Sequence, residues 1–206
     1  MKKKVLILRT RIRKDIISEF LLPQKSSNRV IILCTGMPTY AWRRNYLLEF
    51  LSHKGYWVFL PRYRGSWESD GSFLKKSPHE DVLDVISQLP KGFIDLWSGK
   101  KYFVKDPEVY VIGSSFGGPA AILASLDKRV KKAIAISSVT DWRVESKEKP
   151  LDWLAKFTQD AFGHGYRFQK KNWDKLKKGS FYNPIAKADF IDGSKIILLH
   201  TKDDRV

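Results

Sequence analysis

Val109-Tyr110-Val111-Ile112-Gly113-Ser114-Ser115-Phe116-Gly117-Gly118-Pro119-Ala120-Ala121-Ile122-Leu123 passes from a short apolar run, through a glycine-flanked serine, into an alanine-rich stretch of helical character. Read as strand, tight turn and helix, it carries G-x-S-x-G in the context that gives the motif meaning. A serine thrust out at the tip of a strand sits on strained backbone. Glycines on both sides leave room for the incoming strand and the outgoing helix. The turn sets the amide of Phe116 at the start of a helix, where it can face a negatively charged oxygen. Ser115 is therefore the candidate nucleophile and the Phe116 amide a candidate oxyanion donor.

Outward from this stretch, apolar runs of strand length recur at residues 30–34, 56–60, 133–136 and 196–199, nearly continuous as in strands buried on both faces. Leu47, Phe50 and Leu51 suggest one amphipathic helix between them. Val82, Val85, Ile86 and Leu89 mark another at i, i+3, i+4, i+7. Strands alternating with helices predict an α/β fold: a mainly parallel sheet with helices on both faces. Residues 4–9 and 15–22 have no helix between them and read as an antiparallel pair on the sheet's edge. Residues 142–180, rich in Trp, Phe and Lys, interrupt the rhythm and read as an inserted lid on a single domain spanning 1–206.

The 206 residues suffice to bury a core, and 43% hydrophobic with 13% aromatic residues excludes a disordered chain. No apolar run is long enough to span a bilayer, and Arg9, Arg11 and Arg13 interrupt the basic-then-apolar start before it could serve as a signal peptide. The single cysteine, Cys34, excludes an internal disulfide and fits a buried position in a cytoplasmic protein. Lys and Arg number 38 against 22 Asp and Glu, a net charge of +16. The lysines fall in scattered pairs such as Lys100-Lys101 and Lys170-Lys171, without a nucleic-acid motif, and read as a solvated surface. Neither a nucleic-acid nor a membrane partner is expected.

An acyl-transfer serine needs a base, an acid to orient it, and two oxyanion donors. After the strand at 30–34 the chain reads Thr35-Gly36-Met37-Pro38. Gly36 permits a tight turn and the amide of Met37 is the candidate second donor, since Pro38 has none. Past the strand at 196–199, Asp203 and Asp204 are both candidate acids, and spacing does not separate them. No histidine follows them. His53 ends a helix beside Gly55, His79 opens one beside Glu80 and Asp81, and His200 ends the strand before the acid, expected to point into the sheet or away from Ser115. His164, between two glycines on the lid, is the one substitute base worth testing. Trp142, Trp153, Phe157, Phe162, Tyr166, Phe168 and Trp173 could line an apolar pocket under the lid, and Arg62 and Arg64 could grip a carboxylate.

These residues resemble the α/β-hydrolase superfamily, and within it serine hydrolases of the prolyl oligopeptidase and dienelactone hydrolase type. Gly55-Tyr56-Trp57-Val58-Phe59-Leu60-Pro61-Arg62-Tyr63-Arg64-Gly65-Ser66 is similar to the family's G-Y-x-V-x-x-P-x-Y-R-G-S, and Glu68-Ser69-Asp70-Gly71-Ser72-Phe73 to E-S-x-G-x-F. Gly113-Ser114-Ser115-Phe116-Gly117-Gly118 resembles the peptidase-like elbow, and Thr201-Lys202-Asp203-Asp204-Arg205-Val206 the T-x-D-D-x-V segment whose first aspartate is the acid. The resemblance implies Asp203 as the acid, a catalytic histidine beyond residue 206 with the last strand and helix of the fold, and hydrolysis of a small-molecule ester or peptide without metal or organic cofactor. Cys34-Thr35-Gly36 departs from the His-Gly frequent in relatives. Two other readings share the residues: an acyltransferase or thioesterase on the same scaffold, and a non-catalytic module that binds an acidic partner through its basic surface.

Overall fold

The computed structural model describes residues 5–40, 46–144, 146 and 149–202. Its centre is β7 (Glu108–Ser114), flanked by β3 (Arg29–Cys34) and β8 (Val130–Ile136), with β4 (Trp57–Pro61) beyond β3 and β9 (Ile196–Leu199) beyond β8. These five strands run parallel. An antiparallel pair, β1 (Leu8–Ile12) and β2 (Ile16–Leu21), extends the sheet past β4. Among the described residues the sheet has seven strands in the order β1-β2-β4-β3-β7-β8-β9. From β3 the chain steps outward to β4, then crosses back to β7 on β3's other side. The order therefore reverses between β3 and β7, and a ligand crevice is expected outside their carboxyl ends.

Alternating side chains divide the core into two layers. Val30, Ile32, Cys34, Phe59, Val109 and Val111 face α2 (Pro78–Gln88) and α3 (Gly118–Ala124), whereas Ile31, Leu33, Val58 and Leu60 face α1 (Tyr46–His53). The predicted helices on both faces are present, with α2 burying Val82, Val85 and Ile86 as its spacing requires and opening with a Ser77–Glu80 capping box. In α1 the buried stripe is Leu48, Leu51 and Ser52, while Leu47 and Phe50 are exposed; Ser52 Oγ donates to the Leu22 carbonyl at 2.7 Å.

The expected antiparallel pair at the sheet's edge is present as β1 and β2, with its first strand running Leu8–Ile12 and Lys4 outside the described residues. Two other expectations need correction. Ile197, Leu198 and Leu199 are 46%, 60% and 50% exposed, because among the described residues β9 is the outermost strand of its side. Arg62 and Arg64 are not open to a substrate carboxylate. Arg62 holds Glu19 at 2.9 Å and Glu68 at 2.8 Å, and Arg64 bridges Asp15, Asp84 and Asp81. Buried Arg62 ties β2 to the loop after β4, and half-buried Arg64 ties the β1–β2 turn to α2.

A hairpin, β5 (Phe93–Ile94) with β6 (Lys101–Tyr102), is absent from the sequence reading. Its inner face packs Phe93 and Tyr102 edge-on against Phe20, at 5.1 and 5.5 Å. Strands of two residues give no periodicity to read. Residues 142–180 fold as α4 (Leu151–Phe162), α5 (Lys170–Trp173) and short turns. Among the described residues, no helix is long and apolar enough to cross a membrane.

Cys34 is 2% exposed, and burial pushes its thiol up to about 12 against a lowering hydrogen bond from Tyr63. Because the thiolate is the reactive form, a disulfide reagent at pH 8 is expected to leave the folded protein unmodified and to titrate one thiol after denaturation, read at 412 nm. Rapid reaction of the native protein would contradict that burial.

Candidate active site

The parallel register of β3 and β7 pairs Cys34 with Gly113 at the carboxyl ends of the two strands. Continuing three residues from each partner reaches Met37 and Phe116, so the pairing that builds the sheet brings the two candidate donor turns together. Ser115, between them, has φ = 49°, a left-handed conformation that costs a non-glycine residue about 1–2 kcal/mol. The strain turns the chain sharply from β7 into α3.

Contacts around the elbow explain its glycines. A β-carbon on Gly117 would stand 2.6 Å from the Thr35 carbonyl oxygen and closer still to that of Cys34. One on Gly113 would collide with the Gly117 carbonyl, and one on Gly118 would lie 2.9 Å from Ser138 Cα. Gly36 leaves its space to Ser115, since a β-carbon there would lie 3.2 Å from Ser115 Cβ and 3.8 Å from Oγ.

Two buried tyrosines brace the same backbone. Tyr63 Oη donates to the Thr35 carbonyl at 3.1 Å, and Tyr182 Oη to the Phe116 carbonyl at 2.5 Å. Burial holds both phenols well above their usual range, so they remain donors. The Phe116 ring, 2% exposed, packs among Tyr63, Phe73, Trp142 and Tyr182 at 5.1–5.9 Å, which immobilises the amide beside Ser115. Neither tyrosine stood out in the sequence as part of the site; only the fold relates them to it.

Ser115 opens onto a cavity of about 630 Å³ at the crevice predicted from the strand order. Met37, Pro38, Ser115 and Phe116 form its floor, Ser137 through Trp142 one wall, and Leu151, Trp153, Leu154 and Phe157 of α4 another. Trp153 and Phe157 stack at 5.1 Å with nearly parallel rings, yet remain 46% and 41% exposed. Of the seven aromatics of residues 142–180, Trp142, Trp153 and Phe157 line the cavity, Trp173 and Tyr166 are core residues, and Phe162 and Phe168 pack partly buried against the core. Asp141, also on the wall, is held well below the usual carboxylate range by hydrogen bonds from Arg143 and then Asn183. Its position after β8, at the carboxyl end of a parallel strand, was the available signal.

The histidines separate clearly. His200 lines the cavity with Ser115, contrary to the expectation that it points into the sheet or away. His164 lines a different cleft with Gly71, Ser72 and Arg167, which removes it as a substitute base. His53 closes α1 and His79 contacts Ser77 Oγ at 2.7 Å, so both belong to helix termini. Asp203 and Asp204 lie outside the described residues. Among the described residues, no group of three or more His, Cys, Asp or Glu could hold a metal ion.

Residues 25–180 match the family described as serine aminopeptidase, S33. The fold is similar to acylaminoacyl peptidase from Pyrococcus horikoshii, with TM-score 0.66 and 16% identity over 98% of this chain and 32% of that one. It is also similar to an esterase from Pyrococcus furiosus, with TM-score 0.60 and 18% identity over 96% of this chain and 69% of that one. The chain thus spans about a third of the length of that peptidase. No curated protein sequence matches it.

Proposed function

Because this chain belongs to the serine aminopeptidase S33 family of α/β-hydrolases, we propose that it is the nucleophile-bearing part of a serine hydrolase that cleaves esters or peptides with an apolar acyl portion. The observation that carries the reading is Ser115 at φ = 49° on the floor of the cavity at the β3/β7 switch point. In the proposed reaction Ser115 Oγ attacks the substrate carbonyl, and the resulting oxyanion accepts hydrogen bonds from the amides of Met37 and Phe116. A histidine takes the serine proton and returns it to the leaving group. Water then releases the acyl group by the same route in reverse. Residues 142–180 serve as the lid, and Asp203 orients the base.

The base is proposed to lie after Asp203 in a longer polypeptide rather than to be His200. The choice rests on the resemblance, in which the histidine follows the acid, since His200, at the end of the strand two places from β7, lines the same cavity as Ser115 and is the competing candidate. His200→Gln is accordingly expected to change the rate of covalent labelling by no more than about threefold. Loss of labelling to the level of a serine-less variant would make His200 the base.

The stacked, exposed Trp153 and Phe157 support an apolar acyl group. Phe157→Ala is expected to raise KM for a long-chain p-nitrophenyl ester about 5–20-fold, with kcat nearly unchanged and a short acetyl ester little affected. Equal effects on both esters would show that the ring does not contact the acyl chain.

The reading itself is tested with a fluorophosphonate, on this chain and on the longer polypeptide of the same reading frame, with the adduct mapped by peptide mass spectrometry. An adduct on Ser115 supports it. An adduct on Ser114, Ser137 or Ser138, or none on either folded protein, overturns it.

A further inference from the structure

The β5–β6 hairpin carries exposed apolar side chains on its outer face, beside Lys101, as well as an anchored aromatic inner face. Its inner face is anchored: Phe93 packs on Phe20, Phe59 and Trp57 at 5.1, 5.3 and 6.1 Å. Alternation would then make the outer face polar. Instead Ile94, Leu96, Trp97 and Phe103 are 51%, 50%, 72% and 63% exposed, on a platform too well seated for these to be misplaced core residues.

The exposed charges around them are mostly positive. Lys91, Lys100, Lys101 and Lys105 are exposed, Asp95 is turned inward, and Asp106, after Lys105, is the exposed acid of residues 91–106. The Asp95 carboxylate accepts from the backbone amides of Arg9, Trp97 and Ser98 and from Ser98 Oγ, which lowers its pKa and also fixes the shape of the hairpin tip. The Arg9 guanidinium lies 5.8 Å from the Trp97 ring. A tryptophan at a rigid tip, aliphatic and phenyl groups beside it and lysines around them is the composition of a surface that sits at a membrane–water interface. There the rings enter the headgroup layer and the ammonium groups meet anionic lipids.

We propose that the outer face of the β5–β6 hairpin docks the protein on an anionic lipid bilayer. Four exposed lysines against one sequestered carboxylate, Asp95, and one exposed one, Asp106, in a chain of net charge +16, select an anionic surface over a neutral one. Such peripheral contact needs no spanning helix, and the proposal does not depend on the hydrolase reading. The hairpin bridges to the outer edge strand at Thr10–Asp95, so docking there leaves the β3/β7 crevice uncovered.

The test is co-sedimentation of the folded protein with vesicles of phosphatidylcholine alone or with about 30% phosphatidylglycerol, at low and high salt. Pelleting is expected with the anionic vesicles only, weakening as salt rises. Trp97→Ser with Phe103→Ser, and separately Lys100→Glu with Lys101→Glu, should each lower partitioning about tenfold or more, with circular dichroism showing the fold kept. Lys170→Glu with Lys171→Glu, the same charge change on α5, should lower it far less. No pelleting with anionic vesicles, pelleting that survives Trp97→Ser with Phe103→Ser, or equal loss in the α5 variant would overturn the proposal. A wild-type dimer that the Trp97 variant dissociates, without vesicle binding, would also overturn it and assign the patch to a second copy of the chain.

Discussion

Ser115→Ala is expected to abolish fluorophosphonate labelling and to lower ester hydrolysis by the active polypeptide at least about 10³-fold, the residue of activity coming from binding and the oxyanion donors. The size of the effect follows from chemistry that no neighbour can replace. Ser114, next in the chain, is the last residue of β7, whereas Ser115 stands beyond the strand on the cavity floor. A second variant separates geometry from chemistry. Ser115→Gly also removes the nucleophile but relieves the positive φ of 49°, so it should be more stable than Ser115→Ala by roughly 0.5–1 kcal/mol, after glycine's greater unfolded-state entropy is discounted. Urea unfolding of the two variants measures that difference. Equal stability would mean that the elbow is not strained, and labelling that persists in Ser115→Ala would assign the nucleophile elsewhere.

Gly117→Ala is expected to be among the most damaging single methyl groups in the site. Gly117 has φ = −76° and ψ = −14°, ordinary helical values at which alanine would normally stabilise by about 1 kcal/mol. Here the added carbon meets backbone, the carbonyls of Cys34 and Thr35, and no side chain can rotate away. Overpacking costs typically about 1–3 kcal/mol, and a clash with the end of a central strand falls at or beyond the upper end. For a domain near 200 residues this is a fall in Tm of roughly 6–12 °C. The loss of labelling should exceed what instability explains, because relief of the clash moves Cys34-Thr35-Gly36, and with it Met37, away from Ser115. Calorimetry beside labelling at 15 °C separates the two effects. A Gly117→Ala protein as stable and as reactive as wild type would mean that β3 and the elbow are not packed as described.

Both variants probe features of different legibility. Ser115 and its glycines could be read from the chain because strand, elbow and helix are contiguous there, and a serine on a strained turn imposes residue types on its immediate neighbours. The same locality made α2 readable from Val82, Val85 and Ile86, and the central strands from their continuous apolar runs. Met37 was reached from a turn in an expected place. Asp203 rests on family resemblance alone, since spacing left it level with Asp204.

The chain by itself determined the fold class, the candidate nucleophile's place on a strand-to-helix elbow and the glycine constraints around it, because these are set by interactions within about ten residues of sequence. Tertiary structure alone decided what stands over the serine. Tyr63 and Tyr182 come from β4's end and from the loop after α5 to brace carbonyls at Thr35 and Phe116. Trp153 and Phe157 reach the cavity while Trp173, twenty and sixteen residues further on, enters the core. Arg62 and Arg64 are drawn into ion pairs with carboxylates up to 49 residues away. The physical reason is that aromatic and charged side chains have no fixed address in a periodic pattern: each is satisfied wherever the fold supplies a hydrogen-bond partner, an opposite charge or a dry surface, and that supply exists only once distant strands have come into register.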